Sequence, residues 1–190
     1  STADWVVGTE YLGISVTDPW TDYSHLDTNG GFADNNTKWN DTAPTANVFT
    51  IGTHNRVNKA SDNYVFYAFR SVPGVCKVGS YVGNGSTSDG PYIYTGFRPR
   101  WIFIKNTGAT QNWMIWDTAR SPYNQLNHTL WADLNSGEST SSTYGRDILS
   151  DGFKLRGSSH AIVNANGNNY LYMAMAEIAP NGAYPPIYGR

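Results

Sequence analysis

The chain has 190 residues, a formal net charge of −2, and is 39% hydrophobic, 14% aromatic and 15% charged. Its length suits one domain with a sizeable core, and a charged fraction well below the roughly 25% of an average soluble domain argues against coiled coil and charged disorder. Acidic and basic residues nearly cancel without a like-charge run, which disfavours a nucleic-acid partner, and no stretch approaches the roughly 18 apolar residues that would insert into a membrane.

The first residues, Ser1-Thr2-Ala3-Asp4, have neither an initiator Met nor a signal-peptide layout, so the chain is expected to be processed or to be a segment of something longer. Short apolar runs follow at Val48 to Thr53, Tyr64 to Phe69, Tyr92 to Phe97, Trp101 to Lys105, Trp113 to Asp117 and Tyr170 to Ile178. Between them stand Asn29-Gly30, Asn84-Gly85, Asp89-Gly90, Asp151-Gly152 and Asn166-Gly167, dipeptides suited to tight turns. Thr and aromatic residues favour pleated, half-buried surfaces, while only 5 Lys and 3 Glu supply the common helix formers. The pattern predicts an all-β protein, an antiparallel β-sandwich of jelly-roll or lectin-like form. Tyr64 to Phe69 and Tyr170 to Met175 are apolar without alternation and are predicted to be central strands covered on both faces.

Those two runs lie in matching surroundings. Residues 58–69, from Asn58 to Phe69, align without gaps on residues 164–175, from Asn164 to Met175. Upstream, Phe49-Thr50-Ile51 resembles Phe153-Lys154-Leu155. Residues 1–190 are therefore expected to form a single domain with pseudo-repeats at about 5–73 and 101–179, joined by 74–100. Within the join, Gly83 to Pro91 is a turn-rich loop expected to be mobile or to hold something.

Chemistry-bearing patterns are sparse. Cys76 stands alone, which rules out a disulfide within the chain and a Cys-based zinc cluster, and predicts a small buried thiol. Glu10, Glu138 and Glu177 have no carboxylate two positions away, so the paired acids of a glycosidase are not evident. A polysaccharide-degrading hydrolase would have to assemble residues such as Asp117, Asp133 and Asp147 from different strands; each reads more simply as a turn or cap residue. His25, His54, His128 and His160 are read as surface or hydrogen-bonded loop groups. No cofactor is expected. Calcium is a weaker option, with Asp89 beside Asn84, or Asp62 with Asn63 and Asn58, as the oxygen donors; turn capping explains such loops equally well.

Binding fits the residues better than catalysis. A sugar offers an apolar ring face edged by hydroxyls, so its site pairs an aromatic platform with Asn, Asp, Gln or Arg on loops. Two segments meet that description: Trp113 to Asn124 continuing to Trp131, and Trp39-Asn40-Asp41. The candidate ligand-binding residues are Trp131, Tyr123, Asn124, Asp117, Arg120, Trp39 and Asn40. Trp113 and Trp116 should lie on opposite faces of a strand, one in the core and one half exposed. Asp117 and Arg120 could equally be an ion pair that anchors the turn.

The run Val78-Gly79-Ser80-Tyr81-Val82-Gly83-Asn84-Gly85-Ser86, then Thr95-Gly96-Phe97-Arg98-Pro99, then Trp116-Asp117-Thr118-Ala119-Arg120, resembles a domain of unknown function common in phage tail and fibre proteins, especially of marine phages. The likeness continues through Asp147 to Lys154 and Asn164 to Glu177 and covers about residues 38–179. It implies a virion-surface, extracellular protein attaching to a host-cell glycan or receptor, and it brings no catalytic residues. The alternative it leaves open is a structural virion component (decoration, adaptor or fibre knob) whose partners are other virion proteins. It further implies a homo-oligomer, the trimer being the common form of phage fibres.

Overall fold

The computed structural model describes residues 4–11, 20–156 and 160–177. Among them regular structure is mainly strand: β1 (Val6–Val7), β2 (Asp22–His25), β3 (Ala33–Asp34), β4 (Cys76–Val82), β5 (Tyr92–Tyr94), β6 (Pro99–Asn106), β7 (Met114–Asp117), β8 (Leu130–Trp131), β9 (Arg146–Ile148), β10 (Gly152–Leu155) and β11 (Asn169–Ala176). Two one-turn helices, α1 (Asn36–Trp39) and α2 (Asn55–Asn58), and a 3-10 turn at Ser142–Tyr144 complete it. The strands pair antiparallel throughout, in three sheets ordered β1-β2-β3, β5-β10-β9 and β4-β11-β6-β7-β8. The fold is all-β.

The long strands follow from their sequences. In β11 the residues Tyr170, Tyr172, Ala174 and Ala176 alternate into the core, at the period of two that a strand imposes. They meet Ile102 and Ile104 of β6, Met114 and Trp116 of β7, and across from them Ile93, Ile148, Phe153 and Leu155 of the β5-β10-β9 sheet. Two sheets thus share one apolar core. Trp116 is fully buried and its indole N–H donates to Thr129 Oγ1 at 2.7 Å, which satisfies the ring's one polar atom. Its loss to Ala should cost about 3–5 kcal/mol.

The opposite face of the large sheet is covered at one end by the N-terminal strands. Trp113 stacks on Phe103 with centroids 5.1 Å apart, lies edge-on to Phe32, and donates to His25 O at 2.9 Å. Both Trp113 and Trp116 are therefore buried, and the expectation that one would stand half exposed is corrected: the β2–β3 segment covers the second. The same cover closes over Lys105, whose ammonium donates to Asn29 O at 2.9 Å and to Gln111 O. Burial pushes it down to about 8, against a smaller pull from Asp133.

Two predicted strands are absent as strands. Val48 to Thr53 and Tyr64 to Phe69 lie outside any sheet, and every residue from Lys59 to Arg70 is exposed. Hydrophobic patterning reports what a segment can bury and says nothing of whether a partner strand exists. Tyr170 to Met175 has β4 on one side and β6 on the other; Tyr64 to Phe69 has neither. The Phe49 to Ile51 segment likewise differs from its sequence counterpart in β10. Ile178, the last residue of the run that begins at Tyr170, falls outside the described residues.

The turn-rich loop Gly83 to Pro91 is not free. Asn164, 1% exposed, accepts from Asn84 N at 2.9 Å and donates from Nδ2 to Asn84 Oδ1 at 3.1 Å and Ser86 O at 3.0 Å. A Cβ at Gly83 would lie 2.2 Å from Ala165 O, and Gly85 has φ +68°, so both positions need glycine.

Candidate functional site

The register of the large sheet lays Cys76, Met175, Trp101 and Asp117 in one row across β4, β11, β6 and β7. Directly opposed residues of adjacent strands share a face, so this row is a continuous strip at one end of the sheet. With Arg100 and Ala119 it bounds an open depression of about 450 Å³. Its floor is apolar. Arg100 and Asp117 supply the polar edge, and Trp101, stacked on Phe103 with centroids 5.6 Å apart, is held flat by that contact. Cys76 contributes a buried thiol whose proton burial makes harder to remove, as the sequence led one to expect of a packing residue.

Asp117 links the depression to the loop between β7 and β8. Its Oδ1 accepts from Ala119 N at 3.0 Å and Arg120 N at 2.9 Å, and its Oδ2 from Arg120 Nε at 2.6 Å. Arg120 in turn donates to Glu138 Oε2 at 2.7 Å, and Glu138 Oε1 meets His128 Nδ1 at 2.6 Å. Burial raises the Asp117 carboxyl, but the backbone and guanidinium of Arg120 outweigh it and hold the group below its ordinary range. The bond from Arg120, then that from His128, does the same for Glu138. Burial works against the Arg120 charge, and the bonds to Asp117 and Glu138 more than restore it. Four charged or polar groups are locked into a network that fixes the loop.

Farther along that loop Asn124 mimics a strand residue. Its Oδ1 accepts from Ile148 N and its Nδ2 donates to Ile148 O, both at 2.9 Å, which ties the loop to β9. Tyr123, 82% exposed, projects from this pinned backbone. Trp131, on β8, is only half exposed and packs edge-to-face on Tyr144 with centroids 6.3 Å apart. Asp117, Arg120, Tyr123 and Asn124 therefore belong to one segment, whereas Trp131 packs against the core.

Trp39 is corrected. Trp39 is 7% exposed, edge-on to Trp20, with its ring so close over Gly8 that a Cβ there would lie 2.6 Å from it. Asn40 is the C-cap of α1, with φ 54°. The Trp39 ring is therefore no platform. Of the oxygen donors weighed for calcium, three are engaged by protein: Asp89 by Lys154, Asn84 by Ser86 N and Asn164, and Asp62 by Lys59 at 3.1 Å. Among the described residues no group of three or more His, Cys, Asp or Glu gathers in a way that could hold a metal ion. Asp133 accepts from Trp113 N at 3.0 Å, and Asp147 from Arg156 Nε at 2.7 Å. Each of these acids holds a different part of the frame.

Sequence reasoning missed Trp101 and Arg100, because the run from Trp101 to Lys105 reads as core, and it missed Glu138 and His128, whose tie to Arg120 spans the loop. It also missed Arg146, which is wholly buried with its guanidinium carbon 3.3 Å from the Trp116 ring centre and no hydrogen-bond acceptor among the described residues. Burial drives its pKa well down, against a smaller effect of Tyr81.

Fold and site together define an all-β domain with an aromatic depression at one end of its main sheet and a charge-locked loop beside it. The chain belongs to the family described as a domain of unknown function, DUF7483, whose model matches residues 1–179. Comparison with curated proteins and with solved structures gives no match.

Proposed function

We propose that this domain is a non-catalytic recognition module on the surface of a phage tail fibre or tail-associated structure, and that it binds a host-cell-surface glycan. The observation that carries the proposal is the cross-strand row that sets Trp101 beside Asp117, with Arg100 on the rim of a depression of about 450 Å³. An apolar ring face bordered by a guanidinium is chemistry a pyranose needs: the ring stacks while its hydroxyl oxygens accept from the arginine, and Asp117, held by Arg120, fixes the wall of the depression. Tyr123, exposed at the tip of the loop that Asp117 begins, is a second aromatic contact in this proposal.

The test is binding of bacterial surface polysaccharides to the immobilised protein, with Arg100→Ala, Trp101→Ala and Tyr123→Ala compared after each variant's melting profile is checked. Arg100→Ala and Trp101→Ala should each weaken binding roughly tenfold or more, as truncation of an anchor residue does. Silence across a broad polysaccharide panel, or variants that bind like the wild type, would refute it. The second reading, a structural virion component, is favoured by a different feature, the exposed apolar segment from Tyr64 to Phe69.

A further inference from the structure

Residues 63–70 make no backbone–backbone hydrogen bond to the rest of the chain among the described residues, and they stay exposed. Val65 is 69% exposed, Phe66 52%, Tyr67 66% and Phe69 58%. The segment is nevertheless held in place. The Tyr64 hydroxyl donates to Asn55 O at 2.7 Å and accepts from Lys59 N at 2.9 Å, Phe66 stacks on Phe49 with centroids 3.9 Å apart, and Tyr67 on Trp5 at 6.3 Å. A groove of about 970 Å³ runs beside it, with Trp5, Phe49, Ile51 and Phe66 in its lining. An apolar arm with unpaired N–H and C=O groups is a pairing template.

We infer that the arm is the self-association surface of this protein, and that its occupant is the same arm of a second copy, paired antiparallel about a two-fold axis through Phe66. Three features of the molecule choose that partner. The first is composition: Tyr64 to Phe69 has the pattern of Tyr170 to Met175, which in this fold is a strand paired on both sides and largely buried.

The second is area. The six exposed rings of Trp5, Phe49, Tyr64, Phe66, Tyr67 and Phe69, each 40–66% accessible, present roughly 600 Å². Val48, Ile51 and Val65 bring the patch near the roughly 800 Å² per partner of a stable interface. It exceeds what a monomer commonly leaves in water.

The third is charge. The arm begins at Asp62 and ends at Arg70. Antiparallel pairing centred on Phe66 sets Asp62 against the second copy's Arg70 at both ends, with Val65 against Tyr67 and Tyr64 against Ala68. Asp62 keeps a half-exposed carboxylate beside Lys59, and Arg70 has no ion-pair partner among the described residues. A two-fold interface requires such self-complementarity, and a shift by one residue would lose it. This inference is independent of the glycan reading.

Sedimentation equilibrium of the intact chain from about 1 to 100 µM tests it. A dimer is expected. Val65→Asp, at a site too exposed to disturb the fold, should give a monomer with an unchanged melting profile. Asp62→Arg should weaken dimerisation roughly tenfold, and adding Arg70→Asp should restore it, since two opposed pairs change sign together. Phe66→Cys should form a disulfide-linked dimer under mild oxidation, because only the residue on the axis faces itself; Val65→Cys should do so far less. Cys76, being buried, gives the background. A monomer at the highest concentration, a trimer, a dimer indifferent to Val65→Asp, or failure of the charge swap to restore association would each overturn the proposal.

Discussion

Removing the side chain of Asn164 isolates what holds the Gly83 to Pro91 loop. In Asn164→Ala three hydrogen bonds go at once: that accepted from Asn84 N and those donated to Asn84 Oδ1 and Ser86 O. At about 1 kcal/mol net for each, the expected loss is about 2–3 kcal/mol. For a domain of this size that is a fall of about 5–10 °C in Tm. Asn164→Asp sharpens the argument, being the smaller change in shape. It keeps the acceptor for Asn84 N but turns a second oxygen toward Asn84 Oδ1 and Ser86 O, where the amide had donated. Two acceptors then face one another at a site 1% exposed, so at neutral pH the aspartate variant should be less stable than the alanine variant by a further 1–3 kcal/mol or so. Thermal melts followed by tryptophan fluorescence give the order. Limited proteolysis adds a local readout, since an undocked loop should be cut near Asp89 before the domain unfolds. An alanine variant within about 1 °C of the wild type, or an aspartate variant as stable as the asparagine, would show that this side chain does not pin the loop.

Lys105 predicts a rise of stability with pH. Its folded value of about 8 lies below the ordinary 10.5, so below pH 8 both states carry the proton and the cost of burying it is complete. Between pH 8 and 10 the unfolded chain binds more proton than the folded one, and stability should climb by up to about 3 kcal/mol. The phenols of Tyr92 and Tyr172, pushed up to about 12, oppose this only above pH 10. Urea midpoints should increase from pH 7.5 to 9.5 in the wild type and much less in Lys105→Met, where Lys38, also lowered by burial, adds a smaller rise that the raised Cys76 thiol opposes; a variant that keeps the full slope would assign the effect elsewhere. Arg146→Met should stabilise the protein by about 1–3 kcal/mol, because burying a guanidinium without an acceptor costs several kcal/mol and its contact with Trp116 returns only about 2. A lower Tm in that variant would refute this balance.

Much of the main sheet was legible in the sequence. Trp101 to Lys105, Trp113 to Asp117 and Tyr170 to Ile178 each overlap one of its strands, and Tyr92 to Phe97 overlaps β5 of the smaller sheet, since apolar runs closed by turn residues leave few other ways to bury what they carry. The same rule failed at Val48 to Thr53 and Tyr64 to Phe69 because pairing is a non-local property: two identical patterns diverge when only one finds neighbours. Within the site, Asp117 and Arg120 were readable from their spacing of three. Glu138 was not, lying 18 residues from Arg120. Trp39 was misread for a related reason. Its context of Asn and Asp resembles a sugar-binding loop, and nothing near it in sequence announces that Gly8 opens room for its ring.

The residues that carry the family resemblance turn out to be used in building the fold. Gly79 leaves space for the Tyr172 ring, which would lie 2.9 Å from a Cβ; Tyr81 stacks on Tyr170 at 4.9 Å and donates to Val163 O at 2.8 Å; Gly83, Asn84 and Gly85 dock on the turn from Asn164 to Asn166. Trp116 fills the core, and Asp117 closes its own turn. A motif spent in this way specifies the architecture and constrains the ligand very little. Recognition has to come from side chains left over once the fold is satisfied. Among the described residues these include Trp101 and Arg100 at the depression, Tyr123 at the loop tip, and the arm from Tyr64 to Phe69. The first three suit a small polar ligand with one flat apolar face, whereas the arm, too large and too apolar for a sugar, suits protein. The two surfaces therefore call for different partners, and a substitution that disables one should leave the other's binding intact.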